Sequence, residues 1–134
     1  MKLSSKSITA IKMFIDLGEH YEEGFISLVD IAKRKELSKK FLEQIVPLFK
    51  SNNLLICNRG NQGGYRLAKS PNDISLKDII YITENNLTKN STNDGPIDIV
   101  LNEVDDLLDN YFTNVSLNKL IELQADSYLN NYII

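Results

Sequence analysis

Cysteine and histidine are nearly absent from this chain: its 134 residues hold one of each, Cys57 and His20. A lone cysteine excludes an internal disulfide and any multi-cysteine zinc or iron–sulfur site within one chain. A lone histidine argues against a His-based metal site or a catalytic triad, and His20 is given no role. No apolar run approaches the roughly 18–20 residues a bilayer span needs. The opening Met1–Lys6 lacks the apolar stretch of a signal peptide. Gly60-x-x-Gly63-Gly64 is not a phosphate-cradling loop, because neither a helix start nor a Lys-Ser/Thr pair follows it. With 43% apolar and 25% charged residues, the expectation is a soluble, cytoplasmic, one-domain-sized protein. It is expected to be no enzyme, to bind no cofactor and to avoid membranes.

The net charge of −3 conceals an asymmetry. Residues 1–82 carry 13 Lys and Arg against 9 Asp and Glu, a balance of +4; residues 83–134 carry 2 against 9, a balance of −7. Where positive charge sits decides whether a polyanion can be met, so the N-terminal part is the one able to face a phosphate backbone.

Apolar residues at helical spacing (Ile8, Ile11, Phe14, Ile15) predict a helix from Lys6 to about Tyr21, with Gly18 marking where it weakens. Ser27-Leu28-Val29-Asp30 has the form of a capping box and opens a helix to about Lys35. Ser38 starts the next, to about Asn52, with Pro47 inside it and a bend expected there. The period then changes. Residues 54–59 predict a strand, 60–64 a glycine-rich turn and 65–67 the returning strand. Ser75 starts a helix to Ile82 or Thr83, and residues 84–96 have the composition of a flexible loop. A long helix from Ile97 to Phe112 and a short one around Leu117 to Ala125 complete the chain, ahead of a tail ending in Tyr132-Ile133-Ile134. The expected organisation is residues 1–83 as a DNA-binding domain, 84–96 as a loop, and 97–134 as a dimerisation helix, short helix and tail.

Two short helices around a tight turn suggest helix-turn-helix, with small Ala32 at the approach and Leu37 plugging the turn. Glu36 stands where glycine is common, and a plain helical pair would look similar. The order of elements decides for a winged helix-turn-helix, a mainly α fold with a small β-hairpin. Lys33, Arg34, Lys35, Lys39 and Lys40 then cluster where a recognition helix enters the major groove.

Ser38-Lys39-Lys40-Phe41-Leu42-Glu43-Gln44-Ile45, followed by Arg59-Gly60-Asn61-Gln62-Gly63-Gly64-Tyr65-Arg66-Leu67, resembles the Rrf2 family of bacterial transcription regulators. Leu3-Ser4-Ser5-Lys6 and Ile74-Ser75-Leu76-Lys77-Asp78-Ile79-Ile80 match it as well. The resemblance covers residues 1 to about 82; beyond that only the layout agrees. It implies a homodimeric regulator, most simply a repressor, on double-stranded palindromic DNA. Glu43 and Gln44 become base-reading candidates, since Glu accepts from cytosine and Gln pairs with adenine; an ion pair of Glu43 with Lys39 or Lys40 is the alternative. Lys39, Lys40 and Ser38 are phosphate candidates, and Arg59 a minor-groove or phosphate contact, with Asn61 and Gln62 beside it. The family's usual opening carries an arginine and an aromatic residue that are missing here, leaving Lys6.

Many relatives hold an iron–sulfur cluster through three cysteines in the loop before the long helix, and residues 84–96 contain no Cys or His. The resemblance extends to a cluster-free subgroup whose C-terminal tail docks into cysteine synthase. Tyr132, Ile133 and Ile134 have a fitting chemical form, though an apolar tail folded on its own domain would too. A winged helix used only for protein contact is the alternative function. Cys57 is either a small buried hydrophobe or a redox-active thiol. Ile97, Val100, Leu101, Val104, Leu107, Leu108 and Tyr111 form the expected dimer contact, a stripe that packing on the same domain would also use.

Overall fold

The computed structural model describes residues 1–61, 63–84 and 91–133, with side chains described through residue 127. Helix α1 (Ser5–Glu19) begins where the Ser4 hydroxyl accepts the Ser7 N–H at 3.2 Å. Such a cap satisfies one of the helix's orphan donors, which places the start one residue before the apolar pattern implies. Its inner face, Ala10, Met13, Phe14 and Leu17, is buried. Phe14 meets Phe49 edge-to-face with ring centres 4.8 Å apart, the geometry that suits the ring quadrupoles.

Helix α2 (Leu28–Lys35) and helix α3 (Lys39–Ser51) are joined by a three-residue turn. Glu36 turns the chain in the left-handed region, φ 54° and ψ 50°, a conformation that costs an L-residue roughly 1–2 kcal/mol and that glycine usually supplies. Leu37 donates its N–H to the Ala32 carbonyl at 2.9 Å, and both side chains pack on the core as the sequence predicts. Ser38 caps α3, its hydroxyl accepting the Phe41 N–H at 3.2 Å. Helix α3 continues through Pro47, whose ring is exposed.

Strands β1 (Leu55–Asn58) and β2 (Gly64–Leu67) pair antiparallel, with Leu55 opposite Leu67 and Cys57 opposite Tyr65. The pair is shorter than predicted on the β1 side. Ile26 adds a third edge, exchanging both backbone hydrogen bonds with Tyr65 at 2.8 and 2.9 Å. That contact explains Gly64: a Cβ there would overlap the Ile26 carbonyl.

Helix α4 (Leu76–Thr83) opens on a complete capping box between Ser75 and Asp78. Helix α5 (Gly95–Thr113) follows; Asp98 in its first turn accepts from the Thr92 N–H and hydroxyl, both at 2.8 Å, and from the Ser91 hydroxyl at 3.0 Å. Helix α6 (Leu117–Ile133) is the main departure from expectation. It runs eight residues past Ala125, so Tyr132 and Ile133 belong to a helix rather than a separate tail. Their side chains, and Ile134 altogether, lie outside the described residues. Helix α6 packs against α1 at Gly18, where a Cβ would sit 2.5 Å from Ile121 Cδ1. Gly18 is therefore a site of close helix approach, not a weak point.

Candidate nucleic-acid interface

The turn between α2 and α3 aims the first turn of α3 outward. Lys39 and Lys40 in that turn, Glu43 and Gln44 in the next, and Ser38 before it are all exposed, while Leu42 and Ile45 on the opposite face are fully buried. The amphipathic division is what α3 needs to sit on the core and still offer one face to a groove. Glu43 pairs with Lys39 at 3.4 Å, both about half exposed. The ion-pair alternative for Glu43 therefore describes the unliganded protein. An exposed i, i+4 pair holds by only about 0.3–0.5 kcal/mol, so it opens readily when either partner meets a better one.

The basic cluster divides in a way its spacing did not reveal. Arg34 reaches across to Asp16 with two hydrogen bonds, Nε to Oδ1 and Nη2 to Oδ2, each 2.8 Å. The Asp16 side chain is 1% exposed, so this bidentate pair anchors α2 to α1 and draws the Arg34 guanidinium pKa upward, chiefly through the Asp16 hydrogen bond. Lys35 likewise binds Glu19 at 2.7 Å. Lys33, Lys39 and Lys40 are exposed and outside these two pairs, and Arg34 keeps 38% of its side chain exposed while bound to Asp16. Two of the five charges are thus committed to carboxylates of α1.

The wing carries Arg59 and Asn61 exposed at its tip, and Gln62 lies outside the described residues. The Gly63 N–H donates to the Gly60 carbonyl at 2.9 Å, and Gly60 takes φ 119°, a backbone that glycine adopts without strain. Arg66, not singled out from the sequence, is exposed on β2 with its guanidinium 5.2 Å from the Phe25 ring centre. Cys57 is half-buried on β1; burial raises the pKa of the Tyr65 phenol opposite it, with the Cys57 thiol a further cause.

Lys6 is exposed on the first turn of α1, beside a polar knot. Glu84 Oε2 accepts from the Ser4 N–H at 3.0 Å and the Ser4 and Ser7 hydroxyls at 2.8 and 2.5 Å. Buried Ser7 also bonds the Thr83 hydroxyl at 2.5 Å. These bonds hold the Glu84 carboxyl below its usual range, the Ser7 hydroxyl being the largest cause.

Helix α5 leaves its apolar stripe in water. Ile97, Val100, Val104, Leu107 and Tyr111 are 45 to 71% exposed, Leu101 is exposed as well, and Leu108 is half-buried. Phe112, buried near its end, and the Lys77–Asp109 pair at 2.7 Å tie α5 to its own domain.

The donors for a metal are few. Cys57 lies in the wing and His20 at the end of α1, and no group of three His, Cys, Asp or Glu among the described residues is placed to hold a metal ion. No helix among the described residues is long and apolar enough to cross a membrane.

Comparison with known proteins accounts for this arrangement. Residues 3–123 match the family model described as Rrf2, iron-dependent transcriptional regulator. The protein rrf2 of Nitratidesulfovibrio vulgaris is 33% identical over 84 residues, covering 63% of this chain and 56% of that one. The HTH-type transcriptional regulator IscR of Pectobacterium carotovorum is 38% identical over 80 residues, 60% of this chain and 49% of that one. The matches thus span about half the length of these curated relatives. Among solved structures, IscR of T. potens superposes with a TM-score of 0.79 at 30% identity, covering 95% of this chain and 90% of that one. CymR, the global cysteine regulator of B. subtilis, gives 0.80 at 27% identity, over 92% and 98%. These relatives are transcriptional regulators, not enzymes.

Proposed function

The chain belongs to the Rrf2 family of transcriptional regulators, and from that premise we propose that it binds double-stranded DNA sequence-specifically, as a homodimeric, cytoplasmic repressor that works without an iron–sulfur cluster. The observation that carries the reading is the outward face of α3. A polar, cation-bearing first turn is presented beside a glycine-tipped wing with exposed Arg59. In this reading Lys39, Lys40, Ser38, Lys6 and Arg59 meet phosphates, with Asn61 and Gln62 beside Arg59. Glu43 and Gln44 read base edges, each good contact discriminating by about 1–3 kcal/mol.

Homodimerisation is supported by the exposed stripe of α5. Ile97, Val100, Val104, Leu107 and Tyr111 alternate three- and four-residue steps, the a/d spacing of a two-helix seam, with Leu101 and Leu108 beside it. Five large apolar residues open to water on one helix favour association with a second copy. The dimer would set two recognition helices about one DNA turn apart, roughly 34–36 Å, on a palindrome. Cluster-free action is supported by donor chemistry: iron–sulfur clusters are held mainly by cysteine thiolates, and the chain has one cysteine. The divisions at 83 and 96 follow the same reading, the former falling at the end of α4.

The test is fluorescence anisotropy with the promoter upstream of the protein's own gene and a scrambled duplex of equal length, at two salt concentrations. Preference for the promoter that survives the higher salt is expected. Glu43→Ala should flatten the preference at one base pair per half-site. Unchanged relative affinities across single-base variants would remove Glu43 from the base-reading set.

A further inference from the structure

Where α4 begins, the chain from α5 to α6 passes over it and is hydrogen-bonded to it. The Leu76 N–H donates to the Val115 carbonyl and the Leu117 N–H to the Ile74 carbonyl, both at 2.7 Å. Beside this junction lies a cleft of about 540 Å³, within the roughly 300–1,000 Å³ of small-molecule sites. Leu76, Val115, Leu120 and Leu123 supply an apolar wall, and Tyr111 closes one side.

Two charges stand in the same cleft, neither in an ion pair among the described residues. Among the described residues Lys119 has no acidic partner. Among the described residues Glu122, one helical turn further along α6, accepts only the Asn118 side-chain amide, at 3.2 Å. Residues three apart on a helix are neighbours that commonly pair, yet these two do not. A cation and an anion left open beside leucines complement a ligand with a carboxylate, an ammonium and an apolar body.

We propose that this cleft binds a free α-amino acid with an apolar side chain, its carboxylate on Lys119, its ammonium on Glu122 and its side chain against Leu76, Leu120 and Leu123. Tyr111 belongs both to the cleft wall and to the last turn of the α5 seam, so an occupant bears on the helix that would set the spacing of two DNA-binding units. That regulatory consequence rests on the DNA-binding reading; the binding itself does not.

The experiment is calorimetric titration of the full chain, without DNA, using L-leucine, L-methionine and L-phenylalanine as probes. The controls are 4-methylpentanoate, which lacks the ammonium, and 3-methylbutylamine, which lacks the carboxylate. At least one amino acid is expected to bind once per protomer, and the control that lacks one of its charges to bind at least about tenfold more weakly. Lys119→Ala and Glu122→Gln should each weaken it about tenfold, the worth of one charge-assisted hydrogen bond, with melting temperature unchanged because both side chains are exposed. Absence of heat with all three amino acids overturns the proposal, including the case in which a second copy of the chain fills the cleft. Variants that bind like the parent, or a deaminated acid that binds equally well, overturn it too. None of these results bears on DNA affinity, so the two readings fail separately.

Discussion

At the scale of single residues, the most informative group is the Glu84 carboxylate. Three donors from Ser4 and Ser7 converge on it, and its pKa is lowered in consequence. A carboxyl whose folded pKa lies below its unfolded value adds stability that is complete above the unfolded pKa, near 4.3, and is lost as pH falls through the folded one. Parent and Glu84→Gln should therefore differ in urea midpoint near neutral pH, and the gap should close below about pH 4. A gap of equal size in acid would mean the negative charge plays no part. Nothing in the sequence pointed to this knot, since its members lie 77 and 80 positions apart and each is ordinary alone. Separation in sequence, by 18 and 16 positions, likewise hid the pairing of Arg34 with Asp16 and of Lys35 with Glu19. Their spacing places them on α2, but Asp16 and Glu19 become neighbours only after α1 and α2 pack. Glu36 is the contrary case: its mismatch with the usual glycine is visible in the sequence, and the left-handed turn falls at that residue.

At the scale of elements, the capped helices were legible because Ser27, Ser38 and Ser75 announce their starts locally. Stops were harder. No glycine or proline interrupts residues 117–133, so nothing local marked the extent of α6, and its packing on Gly18 is a tertiary fact. The wing was readable as a hairpin but not as a three-edged sheet, because Ile26 joins it from the far side of α2. Gly64→Ala should consequently push Ile26 away and cost about 2 kcal/mol or more, the scale of a backbone clash or a broken buried bond. Thermal melting would report that loss, and an unchanged melting temperature would mean Ile26 and Gly64 separate without cost. For α5, Leu107→Lys places a charge in the middle of the exposed seam. Sedimentation is expected to show a dimeric parent and a monomeric variant; two equal molar masses would remove α5 as the contact between copies.

At the scale of the whole molecule, charge is sorted along the chain, +4 in residues 1–82 and −7 in residues 83–134. In the proposed complex, the phosphates met by α3 and the wing would repel an acidic α5 and α6, orienting the molecule before contact. Binding should weaken steeply with salt, log K falling by roughly 0.9 per phosphate neutralised. Lys40→Ala should weaken specific and scrambled duplexes alike and reduce that slope by about one phosphate. A loss confined to the specific duplex would make Lys40 a base reader. This sorting was legible from composition alone, as was the order of elements, since both need only counting and periodicity; the path by which the acidic half meets the basic half was not.

The bond between Ser4 and Glu84 has a topological meaning as well. It brings the two ends of an 81-residue stretch within hydrogen-bonding distance, 2.8 Å from hydroxyl to carboxylate, so that stretch is nearly a closed loop of chain. Segments whose ends meet at the surface tolerate being re-joined in a new order or spliced into another protein. The helix-turn-helix and wing are thus laid out as a cassette: a short linker from residue 84 to residue 4 would close the ring, and new ends could be opened at the wing tip without stretching a single helix.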